Sequence, residues 1–191
     1  MAANNNKKLI ILTAPSGAGK TSITHFLLNK FSQLSFSISA ATRQAREGEV
    51  DGKDYHFISV NEFREEIKND AFVEWEMVYE GKYYGTLKKE LQRIWSLNKI
   101  PVLDIDVKGA IHVQQQFPQT TLSIFIQPPS IEELKKRLEA RKTETPESIA
   151  TRINKATYEI SFKQHFTKII VNDLFENACK EAEETVNNFL G

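Results

Sequence analysis

The chain has 191 residues, 40% of them apolar and 26% charged, and its 25 basic side chains match 25 acidic ones. That length suits one domain burying roughly 70% of the unfolded chain's surface, and the composition excludes a disordered chain. Zero net charge argues against a general polyanion binder, and no apolar run approaches the ~20 residues of a membrane span.

Met1 to Lys8 is polar and lacks the apolar stretch of a signal peptide. A lone cysteine, Cys179, offers neither an internal disulfide nor a metal cluster, so a buried thiol in a reducing cytoplasm is expected. His25, His56, His112 and His165 lie far apart without ligand spacing and read as structural or surface residues. Charge is unevenly spread. Residues 1–42 hold four basic and no acidic side chains, whereas residues 43–80 hold eleven acidic against five basic. Most of these charges read as solvated surface.

Leu9-Ile10-Ile11-Leu12 is a short apolar run, as expected of a strand buried on both faces. A glycine-containing turn follows, then Ser22 to Phe31 with apolar residues at helical spacing. Phe36 to Ser39, Asp54 to Ile58 and Glu74 to Tyr79 are candidate strands of a small mixed insert. Pro101 to Ile105 reads as a buried strand and Ile111 to Phe117 as a short helix. Leu122 to Ile126 is a third core strand, stopped by Pro128-Pro129, with Ser130 as N-cap of a helix striped by Ile131, Leu134 and Leu138. Residues 141–152 are polar and read as a mobile segment, with Pro146 in a first-turn position and Arg152 opening the next helix. Lys168 to Val171 is a last strand and Asp173 to Leu190 a closing helix. Strands alternating with helices imply an α/β fold with a mainly parallel sheet covered on both faces.

The strongest motif is Ala14-Pro15-Ser16-Gly17-Ala18-Gly19-Lys20-Thr21, between the first strand and first helix. In G-x-x-x-x-G-K-[ST] the loop turns backbone N–H groups around phosphate oxygens, and the helix presents its positive end to the same anion. Lys20 would reach the β and γ phosphates and the Thr21 hydroxyl would ligate Mg²⁺. Ala14 replaces the first glycine, which is acceptable if its φ is negative. By itself this loop leaves kinase, GTPase, ATPase motor and sulfotransferase-like chemistry open.

Residues 36–106 narrow the choice. Phe36 to Arg43, Arg46 to Tyr55, Phe72-Val73-Glu74-Trp75, Tyr83-Tyr84-Gly85-Thr86 and Leu103-Asp104-Ile105-Asp106 together resemble the guanylate kinases, in family order, over about Leu9 to Leu190. The resemblance implies a P-loop NTPase-type parallel sheet covered by helices, an inserted small mixed α/β GMP-binding subdomain and a short helical lid. The core would be about 1–35, 96–140 and 153–191, the insert about 36–95 and the lid about 141–152. It implies transfer of the γ-phosphoryl group of ATP to GMP, and also to dGMP, with Mg²⁺, in purine nucleotide metabolism. The partners would be ATP and GMP alone, without nucleic acid or membrane, and the enzyme a cytoplasmic monomer or homo-oligomer.

The same resemblance assigns roles. Arg43 and Arg46 would clamp the GMP phosphate with Tyr55 and Tyr84, arginine offering a planar fork for oxygens. Glu74 matches the guanine reader: guanine presents N1–H and the 2-amino group as adjacent donors, whereas adenine offers an acceptor at N1. Sites reading a polar edge in this way discriminate by roughly 10⁴–10⁵-fold. Ser39 and Thr86 match the hydroxyls on other base atoms. Asp104, through water, would lie near Mg²⁺, and Asp106 towards GMP; strand-end capping is the alternative for both. Arg137, Arg141 and Arg152 would be catalytic arginines brought in by the lid, and Asn172 would lie near the adenine. Lys142, where relatives often carry glycine, would stiffen the lid hinge. A non-catalytic peptide-binding relative would be expected to have an eroded phosphate loop, and a kinase of a phosphorylated ribose would not need Glu74, Ser39 and Thr86 together.

Overall fold

A computed structural model of the chain describes residues 7–140 and 145–191. Its centre is β1 (Leu9–Thr13), buried at every position as its unbroken apolar run requires. The strand lies between β7 (Ile100–Asp104) and β8 (Thr121–Gln127), with β2 (Leu34–Phe36) outside β7 and β9 (Lys168–Val171) outside β8. All four pairings are parallel. Alternation along β1 sends Ile10 and Leu12 to one face, where Ile23 and Leu27 of α1 (Lys20–Lys30) and Ala182 and Val186 of α7 (Phe175–Leu190) pack. Leu9 and Ile11 reach the other face, against Leu91 of α3 (Lys88–Ser96) and Ala110 and Val113 of α4 (Val107–Gln116). The partners of β1 lie on opposite sides of it, so its carboxyl end opens on the crevice where such sheets take ligands.

A second sheet has the order β4 (His56–Phe57), β3 (Ala40–Ala41), β6 (Lys82–Leu87), β5 (Phe72–Tyr79). The β3–β4 pairing is parallel and the others antiparallel. Helix α2 (Val60–Lys68) covers it, stacking Phe63 on Phe72 with ring centroids 4.3 Å apart. The remaining helices, α5 (Ile131–Ala140) and α6 (Pro146–Ser161), pack on each other through Leu134, Leu138, Ile149 and Ala156.

Several sequence expectations need correction. Phe36 to Ser39 is no strand of the insert: Phe36 pairs with Val102 in the parallel sheet, and residues 37–39 carry the chain across to β3. In Asp54 to Ile58 only His56–Phe57 pairs as a strand. The helix expected from Ile111 begins at Val107, because the Asp106 carboxylate accepts from the Gly109 N–H and caps it. Arg152 does not open the next helix: α6 starts at Pro146, capped by Thr145, which places Arg152 in its second turn. Lys142 lies outside the described residues. Among the described residues no helix is long and apolar enough to cross a membrane.

Candidate active site

β1 and α1 are joined by the loop Ala14 to Gly19. Gly17 and Gly19 have φ of 94° and 96°, and no positive φ occurs at Ala14, so the alanine sits without strain. Gly19 is required twice over: a Cβ there would collide with the Asn172 amide nitrogen. That nitrogen donates to the Ala18 carbonyl at 2.7 Å, so Asn172, buried beyond β9, holds the loop from below. A Cβ at Gly17 would meet Leu138 at 3.0 Å and Leu134 at 3.1 Å. Lys20, first in α1, forms an ion pair with Asp104 at the end of β7.

The loop forms one end of a cavity of about 510 Å³ whose lining includes Lys20, Thr21, Ser39, Arg46, Tyr55, Glu74, Tyr84, Asp104 and Asp106. Both sheets therefore contribute to one cleft. Glu74, 6% exposed on β5, accepts from the Thr86 hydroxyl at 2.6 Å through Oε1. Its Oε2 lies 2.6 Å from where a Cβ on Gly109 would be, so the glycine inside α4 is what lets this carboxyl seat. Burial pushes the Glu74 carboxyl up to about 7, the Thr86 bond opposes the rise and the nearby Asp106 charge adds to it. Gly109 was not singled out in the sequence; a glycine inside a helical stretch is its signal.

Two further carboxyls line the cavity, Glu76 and Glu159. Glu76 Oε2 is buried without a hydrogen-bond partner, and the neighbouring Asp106 carboxyl together with burial pushes the Glu76 carboxyl up. Burial raises Glu159 as well, against the pull of Lys155. Asp106 thus caps α4 while its carboxyl borders the cavity.

The arginines divide. Arg46 borders the cavity. Arg43 lies against Tyr55 and Phe57, its guanidinium carbon 4.9 and 5.4 Å from the ring centroids. It gives Nε–H to the Tyr84 hydroxyl at 3.1 Å and both Nη groups to Glu49, at 2.5 and 2.7 Å. The paired hydrogen bonds hold the Glu49 carboxyl down to about 2. Glu49 also accepts from the Arg46 backbone N–H at 2.7 Å, so one carboxylate ties both arginines. Arg137 on α5 donates to the carbonyls of Asn172 and Asp173, and Arg152 on α6 donates to Ser16 Oγ at 2.6 Å. Arg141 lies outside the described residues.

The family model for guanylate kinase matches residues 6–189. A guanylate kinase of Bacteroides fragilis is 45% identical over 96% of this chain and 90% of its own length. One from Chlorobium chlorochromatii is 42% identical over the whole of both chains. The crystal structure of guanylate kinase from Anaplasma phagocytophilum superposes with a TM-score of 0.75 at 29% identity, over 95% of this chain and 85% of that one. The chain belongs to the guanylate kinase family.

Proposed function

We propose that this protein transfers the γ-phosphoryl group of ATP to GMP, giving ADP and GDP, and that dGMP is also a substrate. The observation that carries this reading is the shared cavity, with Lys20 at the phosphate loop and Glu74 with Thr86 on the other sheet. ATP phosphates would lie on the loop, held by its N–H groups, the α1 N-terminus and Lys20. Ionised Glu74 would take N1–H and the 2-amino group of guanine, with Ser39 and Thr86 on neighbouring atoms, and Asp106 would lie towards the nucleotide. Arg43 and Arg46 would clamp the GMP phosphate with Tyr55 and Tyr84, Arg43 being oriented by Glu49 and the Tyr84 hydroxyl. Arg137, Arg141 and Arg152 would bring positive charge to the transferring group, and Asn172 would keep the loop in shape beside the adenine.

The residues fit a magnesium ion. The Thr21 hydroxyl and Asp104 carboxylate border the same cavity and are hard oxygen donors, which suit Mg²⁺ completed by water and phosphate oxygens. When bound, the ion would neutralise charge on the phosphates. Thr21 would ligate the ion directly and Asp104 would act through water, while Asp104 also pairs with Lys20. Proximity and charge stabilisation then suffice, because phosphoryl transfer asks little covalent chemistry of the protein.

The division into a core of about 1–35, 96–140 and 153–191, an insert of about 36–95 and a lid of about 141–152 belongs to this proposal, as does action in the cytoplasm on two small anions. A coupled ADP-release assay with GMP, AMP, UMP and dTMP tests it. GMP alone among the four should turn over efficiently; equal turnover of AMP would overturn the guanine assignment.

A further inference from the structure

Two chain crossings connect the parallel sheet with the second sheet. One runs from Phe36 in β2 to Ala40 in β3, and the other from β6 through α3 to β7. At the first crossing the Ser37 N–H still donates to Val102 of the parallel sheet at 2.9 Å, and Ser39 already accepts from the His56 N–H at 2.9 Å. Ile38 is therefore the residue at which the chain passes from one sheet to the other. Its N–H belongs to neither ladder. It donates to Oε1 of Glu90 on α3 at 3.1 Å.

Glu90 is 4% exposed, rare for a carboxylate away from a catalytic cleft. Its charge is met by Arg93, which donates Nε–H to Oε2 and Nη2–H to Oε1, both at 2.8 Å. The arginine closes a bidentate pair on the exposed side and leaves the inner oxygen facing the Ile38 N–H. Helix α3 itself touches β6 of one sheet and β7 of the other. The Glu90–Ile38 bond thus braces the two crossings against each other.

The placement of that brace matters for the base. Ser39 follows Ile38 directly, and Thr86, the hydroxyl partner of Glu74, lies near the end of β6, four residues before Glu90. Ser39, which borders the cleft, and Thr86, which holds the cleft-lining Glu74, thus lie in the two crossing segments that Glu90 ties together.

We propose that Glu90 is a positioning residue for guanine selection, setting the separation of Ser39 from the Thr86–Glu74 pair and the angle of the second sheet on the first. It touches no substrate and acts through the Ile38 backbone. The proposal rests on the guanylate kinase reading above. A displacement of about 1 Å at a remote support costs up to roughly 100-fold in rate, so a brace at the hinge has the leverage required.

The test compares the unmodified protein with Glu90→Ala and Glu90→Gln. It measures kcat and KM for GMP, for inosine monophosphate (which lacks the 2-amino group) and for ATP, and amide exchange at Ile38 without nucleotide. Glu90→Ala should raise the KM for GMP roughly 10–50-fold and compress the GMP-to-inosine ratio of kcat/KM at least about fivefold, with the KM for ATP within about twofold. Ile38 exchange should quicken. Glu90→Gln keeps an acceptor for Ile38 and should stay within about threefold of the unmodified protein. An unchanged ratio in Glu90→Ala, or equal rises in both KM values, overturns the proposal, as does a Gln variant as damaged as the Ala variant. Should Glu90→Ala not fold, Arg93→Ala loosens the carboxylate without removing it; a ratio unchanged there overturns the proposal too. Failure of the unmodified protein to phosphorylate GMP would instead refute the parent reading, and Ile38 exchange would still report on the brace.

Discussion

The side-chain amide of Asn172 donates to the carbonyl of Ala18 at 2.7 Å and occupies the space that a Cβ on Gly19 would need. The phosphate loop is thereby fastened to the strand most distant from it in sequence. Asn172→Ala should cost about 1–3 kcal/mol in unfolding free energy, since it leaves a buried carbonyl unpaired. It should also raise the KM for ATP while leaving that for GMP within about twofold. Denaturant unfolding and steady-state kinetics measure both; an unchanged ATP KM would show that the loop keeps its shape unaided.

Gly109→Ala separates helix propensity from function. Alanine favours a helix interior by up to about 1 kcal/mol over glycine. Here the added methyl meets Glu74 Oε2 at 2.6 Å, a contact that has to be relieved by moving the carboxyl. The variant should fold with stability within about 1 kcal/mol of the parent and bind GMP at least about tenfold more weakly. Calorimetric titration with GMP decides the matter, and parental affinity would sink the idea.

The Glu74 carboxyl titrates near 7, not in the usual carboxylate range, chiefly because it is buried. A raised carboxyl pKa means that the folded chain holds this proton more tightly than the unfolded chain. Its contribution to stability is therefore full below the ordinary carboxylate range, falls as pH rises towards about 7, and is constant above that. On the proposed reading guanine donates to the ionised carboxylate, so GMP binding should lower the transition. Carbon-detected NMR of the carboxyl, with and without GMP, should show a midpoint near 7 that moves down on saturation. A midpoint near 4.5 in the free protein would contradict the assigned environment.

Arg43→Lys tests whether position or charge matters at the tyrosines. Lysine keeps the charge but cannot satisfy both Glu49 oxygens and the Tyr84 hydroxyl at once. The expected result is a KM for GMP raised roughly tenfold or more with the KM for ATP unaltered. A lysine variant with parental kinetics would reduce Arg43 to a simple counter-charge.

Lys20→Ala removes the cation at the start of α1 and leaves Asp104 without its partner. kcat should fall by orders of magnitude, and an unchanged kcat would refute the role given to Lys20.

The parallel sheet was legible because Leu9 to Leu12 and Leu122 to Ile126 are apolar runs too short for helices. The phosphate loop was legible because its glycines and Lys20 serve local geometry. Helix α2 was missed although Ser59 and Glu62 form a reciprocal capping box, a local signal open to reading. Helix α3 was missed as well: Leu91 and Ile94 sit at helical spacing, but no N-cap side chain marks its start. At the site, Glu74 and Thr86 could be picked out by their motifs, whereas Gly109, Glu76 and Glu90 could not. Their placement depends on which elements meet across the hinge, and no local pattern encodes that. Asp106 was expected to face the nucleotide; capping α4 competes for the same carboxylate, and the two uses are not separable in sequence.

The leucines over Gly17 bear on the medium in which charge moves. With Leu134 and Leu138 seated against the glycine, that flank of the phosphate loop is hydrocarbon. Hydrocarbon polarises far less than water, so a phosphate held there would feel the surrounding N–H dipoles and cations with less dielectric loss on that side. On the proposed reading, helix α5, which carries Arg137, would serve the loop as an electrical insulator as well as a source of charge.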